Sequence, residues 1–326
     1  MLKASLGIDV GSISTKGVVL ASGNQILAQE YLWTEGNPVD AVKRLLRSLR
    51  DQLPKSTEIE GVGTTGSARK LIGTMLSADV IKNEITAHAV GTLSKFPDVR
   101  TILEIGGQDS KIILIRDGIV IDYAMNTLCA AGTGAFLAAQ SKRLGIPVED
   151  MGQLALTSSR PVKIAARCAV FAESDMIHKA QAGHSKEDLM GGLCLAVVSN
   201  YINNVGQGKE IISPVVFQGG VSKNPGVVQA FKEITGLDIL VDEQSHLAGA
   251  LGSAILAHHA AAAKTAQNSR RFSFAFGDMD FRTTGLMCDK CSNHCEIMLA
   301  YLDGALLNAW GNRCSQGEIN ISRTIP

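Results

Sequence analysis

The chain has 326 residues, of which 45% are hydrophobic and 19% charged, as is typical of a globular protein with two or three compact units. Its 31 basic and 31 acidic residues balance, so no net positive charge favours binding to nucleic acid. No apolar run reaches the roughly 18 to 20 residues that span a bilayer, and the N-terminal MLKASLGIDVGS enters a strand pattern with no room for a signal peptide.

The first hundred residues alternate short apolar runs with Gly-rich turns, a pattern that predicts a sheet with flanking helices. Strands are expected at Leu6–Val10, Gly17–Leu20, Gln25–Glu30 and Ile59–Thr64, and helices from Pro38 to about Leu53 and at Glu84–Ser94. The first helix carries one apolar stripe made of Val42, Leu45, Leu46 and Leu49. This stripe should pack against the sheet.

The same order of elements begins again at Thr101. The segments GIDVGSISTKGVVL and LEIGGQDSKIILI share the order strand, acid, glycine, polar turn, lysine, strand, which indicates internal duplication of one βββ-α unit. The second set of strands is expected at Thr101–Ile105, Ser110–Arg116 and Ile119–Met125. The elements after it are helices at Ala130–Leu144, Ala169–Ala182, Lys186–Val205, Pro225–Thr235 and His246–Ala263, with strands at Val215–Gln218 and Asp238–Val241.

Three Gly-rich turns are candidate phosphate loops. The turn after Asp9 is rich in hydroxyls and backbone amides and could wrap terminal phosphates, with Asp9 holding Mg²⁺ through water. One such hairpin is usually only a hairpin, but three in a duplicated chain favour a nucleotide site. The candidate ATP-binding residues are Gly11, Ser12, Ser14, Thr15, Lys16, Gly106, Gly107, Gln108, Gly219, Gly220 and Asn224, and the candidate catalytic acids are Asp9, Glu104 and Asp109.

These motifs resemble those of a known superfamily. GIDVGSISTK, ILEIGGQDSK and FQGGVSKNPG resemble the acetate-kinase, sugar-kinase, Hsp70 and actin superfamily. NTLCAAGTGAFL and ARCAVFAESDMI resemble the activators of 2-hydroxyacyl-CoA dehydratases and the ATPase subunits of benzoyl-CoA reductases, over about Leu6 to Leu256. The resemblance implies a duplicated, actin-like α/β ATPase fold. The chain departs from it at Glu104, where many superfamily members have Asp, and in its Cys-rich tail, which the short activators lack.

The resemblance also suggests how the chain divides. We expect residues 1–96, with the returning helix 245–263, to form subdomain I, and residues 97–244 to form subdomain II. Residues 264–326 are expected to be a linker and a small Cys-rich tail, because Ala260–Arg271 is polar and Ala-rich without an apolar stripe.

Cys129 and Cys168 each precede a predicted helix, where the helix dipole stabilises thiolate over thiol. A cubane cluster usually takes four thiolates, and a two-fold dimer would present this pair twice. The resemblance implies that they hold a [4Fe–4S] cluster bridging a homodimer. The alternative is that they are buried small hydrophobic residues, as is expected of Cys194. Glu173, five residues after Cys168, either supports the cluster or is a helix-surface acid.

Four further cysteines lie near the C-terminus, at Cys288, Cys291, Cys295 and Cys314. Without export the expected compartment is the cytoplasm, where disulfides are rare, so this spacing favours a metal. It suits either a second Fe–S cluster or Zn²⁺, with His294 as a substitute ligand, and does not choose between them. The structural alternative is that the tail folds around zinc and serves only to dock on a partner.

The resemblance implies an ATPase, with ATP and Mg²⁺, that drives one low-potential electron into an acyl-CoA dehydratase or reductase component. A ferredoxin or flavodoxin would supply the electron. Two alternative functions remain: an ATPase subunit resident in a benzoyl-CoA-reductase-like complex, and a small-molecule kinase. For the kinase, the sequence shows no compelling catalytic base. A non-enzymatic regulator with a zinc tail is a further alternative.

Overall fold

Two five-stranded sheets with the same strand order organise the chain in a computed structural model that describes residues 2–126, 129–263 and 272–319. One unit comprises Met1–Ala87 and Gly249–Pro326, and the other comprises His88–Ala248. The predicted linker at Ala260–Arg271 lies mostly outside the described residues. No helix within the described ranges is both long enough and apolar enough to cross a membrane.

The first unit is built on a sheet of order β3-β2-β1-β4-β5, in which β1, β2 and β3 are antiparallel and β4 and β5 run parallel to β1. Its strands are β1 Leu2–Val10, β2 Ser14–Ala21, β3 Ile26–Trp33, β4 Thr57–Thr65 and β5 Val80–Ile81. Its helices are α1 Pro38–Gln52, α2 Arg69–Met75, the first residues of α3 Glu84–Leu93, and nearly all of α9 Ala248–Ala262.

Helix α1 shows how the local sequence sets an element. Asn37 caps it by accepting from the Asp40 N–H, and Pro38 occupies the first turn, where a missing N–H costs nothing. The predicted stripe of Val42, Leu45, Leu46 and Leu49 is confirmed as the buried face. Helix α9 lies close to β1 and β4, since a Cβ on Gly7 would lie 2.0 Å from the Ala250 carbonyl and one on Gly63 would lie 2.2 Å from the Ser253 carbonyl.

The second unit repeats the topology, with order β8-β7-β6-β9-β10 and the same pattern of antiparallel and parallel pairs. Its strands are β6 Thr101–Ile105, β7 Ser110–Arg116, β8 Ile119–Asn126, β9 Val215–Gln218 and β10 Ile239–Leu240. Its helices, besides the rest of α3, are α4 Gly134–Arg143, α5 Met151–Leu156, α6 Ala169–Gln181, α7 Lys186–Asn204 and α8 Pro225–Thr235. The predicted duplication is confirmed.

Two features of the sequence prediction were wrong or incomplete. The helix expected at Ala130–Leu144 begins only at Gly134: a 3-10 turn, Ala130–Gly132, comes first, and Thr133 is extended. The glycines on either side of Thr133 weaken a continuous helix here. The short helices α2 and α5 were not predicted, because six or seven residues carry too little periodicity to reveal them.

The C-terminal segment forms a three-stranded antiparallel sheet that packs against α2 within the first unit. Its strands are β11 Phe281–Met287, β12 Glu296–Leu302 and β13 Ala305–Trp310. Phe281 and Ala300 are buried in the same hydrophobic core as α1. Arg47 of α1 also binds the segment, donating to the Asp278 carboxylate at 3.0 Å and to the Gly277 carbonyl at 2.9 Å.

Candidate functional site

The turn between β1 and β2 is closed by the Gly11 N–H, which donates to the Ser14 carbonyl at 2.9 Å. Asp9 and Lys16 face each other across the strand pair, and Lys16 Nζ lies 3.2 Å from Asp9 Oδ2. Thr34 ties the turn to β3, since its hydroxyl donates to the Gly11 carbonyl at 2.9 Å. The turn is therefore held rigidly, with one acid and one cation side by side beneath it.

The turn between β6 and β7 has the same backbone closure, from the Gly106 N–H to the Asp109 carbonyl at 2.9 Å. Its charges differ, because Lys111 Nζ lies 3.0 Å from Glu104 Oε2 and 2.8 Å from Asp109 Oδ2. Tyr201 donates to the Lys111 carbonyl at 2.7 Å, and burial, with the charge of Glu104 second, raises the pKa of Tyr201 well above its usual value. Lys111 was missed as a site residue, although its match to Lys16 in the duplication could have identified it.

Glu104 lies between two glycine loops of the second unit. A Cβ on Gly106 would come within 3.1 Å of Glu104 Oε1, and one on Gly219 within 2.8 Å of the same atom. Gly219 also has a positive φ of 89°, which glycine adopts without strain. The Gly106 and Gly219 loops therefore converge on one buried carboxylate, the kind of oxygen ligand that Mg²⁺ prefers.

The other predicted nucleotide ligands divide by exposure. Ser12 and Gln108 are exposed, while Ser14 and Thr15 are buried. Thr15 shares a hydrogen bond of 2.9 Å with Thr34. Asn224 caps α8 by accepting from the Val227 N–H at 3.1 Å, so its side-chain oxygen already has a structural role.

The turn between β6 and β7 is joined directly to the start of α4. The Gly134 N–H donates to the Gly106 carbonyl at 2.9 Å, and the Ala135 N–H donates to the Gly107 carbonyl at 2.8 Å. A Cβ on Gly134 would lie 3.1 Å from the Gly106 carbonyl. Because α4 follows Cys129 by only a few residues, two backbone hydrogen bonds connect this turn to the segment that carries Cys129.

Cys129 and Cys168 lie at the starts of two elements in the second unit, and both thiols are partly exposed. Cys168 is the N-cap residue of α6, as predicted, whereas Cys129 precedes the 3-10 turn rather than an α-helix. Cys129 Sγ lies 3.9 Å from the carbonyl of Arg167, the residue before Cys168. The fold therefore brings the two cysteine segments together, and the exposed thiols suit soft-metal ligation.

Glu173 links the helices that follow these cysteines. Its carboxylate accepts from Gln140 Nε2 of α4 at 3.0 Å and pairs with Arg143 of α4 at 2.7 Å. Glu173 therefore braces α6 against α4 and is more than a surface acid. Cys194 is buried in the core, as predicted, and burial raises the pKa of its thiol to about 12.

The tail cysteines form pairs. Cys291 Sγ and Cys314 Sγ are 3.9 Å apart, and backbone N–H groups of Gly317 and Gln316 lower the pKa of Cys314. Cys288 and Cys295 are buried together beside Ile297. Among the described residues, no three His, Cys, Asp or Glu side chains form a group that could hold a metal ion. The tail thus presents a thiol pair rather than a complete four-thiolate set.

Comparison with known proteins gives a consistent result. The BadF/BadG/BcrA/BcrD ATPase family matches residues 6–257. The (R)-2-hydroxyglutaryl-CoA dehydratase activating ATPase of Acidaminococcus fermentans is 34% identical over 79% of this chain and 98% of its own length. The activator of lactoyl-CoA dehydratase of Anaerotignum propionicum is 35% identical over 80% of this chain and 99% of its own length.

A solved structure supports the same assignment. The activator of the 2-hydroxyisocaproyl-CoA dehydratase from Clostridium difficile, with bound ADPNP, matches with a TM-score of 0.73 and 33% identity. The match covers 79% of this chain and 96% of that one. The family match ends at residue 257, so the Cys-rich tail lies outside it. The predicted family and fold are confirmed: the chain belongs to the BadF/BadG/BcrA/BcrD ATPase family and has the α/β fold of the actin-like ATPases.

Proposed function

We propose that this ATPase is an activator that delivers one low-potential electron to an acyl-CoA dehydratase or reductase. Two observations carry the proposal: the second unit brings the Cys129 and Cys168 segments together, and its turn at Gly106 and Gly107 is hydrogen-bonded to the start of α4. A nucleotide-dependent change at Gly106 or Gly107 would therefore reach the cysteine segments through backbone bonds. The activator names of the relatives support the same function.

The two cysteines fit a cluster shared between two copies of the chain. One chain supplies two thiolates and a cubane usually needs four, so a group of three ligands within one chain is not expected. Val170 and Phe171 follow Cys168 and are 70% and 67% exposed, apolar side chains that a second copy would cover. Cys129 and Cys168 of each copy would hold such a [4Fe–4S] cluster, which would supply one-electron transfer between a ferredoxin or flavodoxin and the partner enzyme.

The residues of the chain have separate tasks in this scheme. In the first unit, Lys16 and the backbone N–H groups of the turn would bind nucleotide phosphates, and Asp9 would hold Mg²⁺ through water. Glu104 and Asp109 would orient the attacking water, with Lys111 balancing their charge. Glu173 would keep α4 and α6 in a fixed relation as the Gly106 turn responds to ATP or ADP. Hydrolysis would then reset the activator.

The experiment is metal analysis of protein purified under anaerobic conditions, with EPR spectra after reduction. Wild type should contain iron and acid-labile sulfide, and the amounts of both should fall in Cys129→Ala and Cys168→Ala, which should still bind ATP. Cys194→Ala, which removes a buried thiol of the same unit, should retain the iron. A colourless protein that phosphorylates a small molecule would replace the proposal with a kinase, and zinc alone would favour a regulator. Iron found only in a tight complex with a reductase would indicate a resident subunit.

We propose separately that the tail binds a metal through Cys288, Cys291, Cys295 and Cys314. The Cys291–Cys314 pair supports this, because a separation of 3.9 Å is close to that of two thiolates on one tetrahedral metal ion. Cys288 and Cys295 would have to turn toward that pair. A metal that is lost in Cys291→Ser but kept in Cys129→Ala would be assigned to the tail, and its identity as zinc or iron would be known. Unchanged metal content in Cys291→Ser would refute the site.

A further inference from the structure

Asn200 is a polar side chain in the core of the second unit, with 0% of its surface exposed. Its Nδ2 donates to the Ala166 carbonyl at 2.5 Å and lies 3.7 Å from Cys129 Sγ, a hydrogen-bond distance for sulfur. Ala166 is two residues before Cys168. One buried amide on α7 therefore contacts the segments that carry both cluster cysteines.

The orientation of this amide is fixed by the next turn of α7. Asn204 Nδ2 donates to the side-chain oxygen of Asn200 at 3.0 Å and to its backbone carbonyl at 2.9 Å. An amide nitrogen has no free lone pair to accept such a bond, so the oxygen must face Asn204. The donor end is thereby directed at the Ala166 carbonyl, and Cys129 Sγ lies nearer to Nδ2, at 3.7 Å, than to Oδ1, at 4.0 Å.

The Cys129 segment is shaped to reach this amide. Asn126 holds it from the other side, accepting from the Cys129 N–H and donating to the Cys129 carbonyl, both at 2.9 Å. Gly132 provides the necessary space, because a Cβ there would lie 2.6 Å from Asn200 Oδ1. The segment closes on Asn200 only with glycine at this position.

We propose that Asn200 is a positioning residue, which holds the Cys129 and Cys168 segments together as a preformed two-thiolate half-site and donates an N–H to Cys129 sulfur. The inference rests on the proposed function, since it assumes that these cysteines are ligands. Groups that orient metal ligands typically contribute about 10- to 100-fold to metal affinity. Hydrogen bonds to ligand sulfur also help to set a cluster's reduction potential, by stabilising the more negative reduced state.

The test compares Asn200→Asp, Asn204→Ala and the control Asn203→Ala in the dimeric protein purified with its iron. Asn200→Asp keeps the volume and removes the donor, so it should release iron to a chelator about 10- to 100-fold faster. Its EPR-monitored midpoint potential should shift to a more negative value. Asn204→Ala should shift the iron-release rate and the midpoint potential in the same direction but by less, because it only frees the Asn200 amide to rotate. Asn203, an exposed neighbour on the same helix, should leave both unchanged when truncated.

Asn204 is exposed, so Asn204→Ala keeps the proposal falsifiable if Asn200→Asp does not fold. The proposal would be overturned if a folded variant at Asn200 or Asn204 kept the wild-type midpoint potential and the wild-type rate of iron release. A lowered Tm without a shift in midpoint potential would also overturn it. If wild type holds no iron, the proposed function fails and Asn200 is tested separately. Phenylarsine oxide, which needs two neighbouring thiols, should then bind wild type about tenfold more tightly than Asn204→Ala, and equal binding would refute the half-site.

Discussion

The β1–β2 and β6–β7 turns have the same backbone closure and different charges. In the first, one lysine faces one acid, with Lys16 and Asp9 side chains 14% and 8% exposed. In the second, Lys111 is only 3% exposed and contacts both Glu104 and Asp109. Duplication has thus preserved the strand register that places a lysine opposite an acid, while the number of carboxylates and the depth of burial have changed.

The surroundings of the two turns differ as well. The first turn is tied to β3 through Thr34, within its own sheet. The second turn accepts two N–H donors from the start of α4 and lies beside Gly219. We infer that the first turn serves mainly to hold phosphate, whereas the second also transmits its state to the cysteine segments. Changing matched residues in the two turns should separate these roles.

The largest expected effect comes from Lys111→Met, which keeps the side-chain stem and removes the charge. Glu104 would be left buried beside Asp109 without a cation, and such a loss typically costs about 3 to 5 kcal/mol in free energy of unfolding. Urea denaturation followed by circular dichroism measures it. The matched Lys16→Met variant should lose less, because its ion pair is more exposed.

A double variant gives the control for this comparison. Glu104→Gln combined with Lys111→Met removes the buried charge together with its partner, and should recover part of the lost stability. Equal losses for Lys111→Met and Lys16→Met would show that the two turns do not differ in the way their burial indicates.

The next effect concerns activity. Asp9→Asn is isosteric and should leave the fold intact, but it weakens the hold on Mg²⁺, so ATP hydrolysis should fall by about 100-fold or more. Steady-state phosphate release measures the rate. Asp117→Asn, an exposed turn position with φ of 50° that asparagine tolerates, is the matched control and should be unchanged. A wild-type rate in Asp9→Asn would remove Asp9 from the catalytic residues.

Much of this architecture could be predicted from the sequence, because the two duplicated halves share a recognisable sequence pattern. The repeated order of strand, acid, glycine and lysine predicted both sheets, and three strands, Thr101–Ile105, Ser110–Arg116 and Val215–Gln218, have the predicted bounds. The helix starts at Pro38 and Pro225 were also predictable, since asparagine before proline is a strong N-terminal signal.

What could not be predicted depends on contacts between distant residues. Asn200 lies on an apolar helix, and nothing near it in the sequence indicates that it contacts Cys129, 71 positions earlier. The delayed start of α4 at Gly134 likewise depends on the Gly106 turn, to which its first N–H is bonded. The packing of the tail on α1 was missed because the burial of Phe281 and Ala300 depends on contacts with residues far away in the sequence.

A smaller effect is expected from Gly134→Ala, which tests the link between the second turn and α4. The added methyl would lie 2.9 Å from Val221 Cγ2 and 3.1 Å from the Gly106 carbonyl, and such overpacking costs about 1 to 3 kcal/mol. The variant should also show a smaller difference between ATP and ADP in the rate at which a chelator removes iron.

Ala139→Gly is the control for this link. It lies on the exposed side of α4 and costs about 1 kcal/mol in helix propensity without contact to the turn. If it reduces the ATP–ADP difference as much as Gly134→Ala does, loss of helix stability explains both results and the link is refuted.

The smallest expected effect on stability comes from Arg47, which makes an exposed contact between α1 and the tail. Arg47→Met removes the hydrogen bonds to Asp278 and Gly277 but keeps the packing of the stem, and the pair is 46% and 58% exposed. Exposed ion pairs contribute about 0 to 1 kcal/mol and are screened by salt, so Tm should fall slightly at low salt and hardly at all at high salt. Lys43→Met, one turn earlier on α1, removes the same charge and is the control. A loss of several kcal/mol for Arg47→Met alone would mean that this contact, rather than burial of Phe281 and Ala300, holds the tail on the first unit.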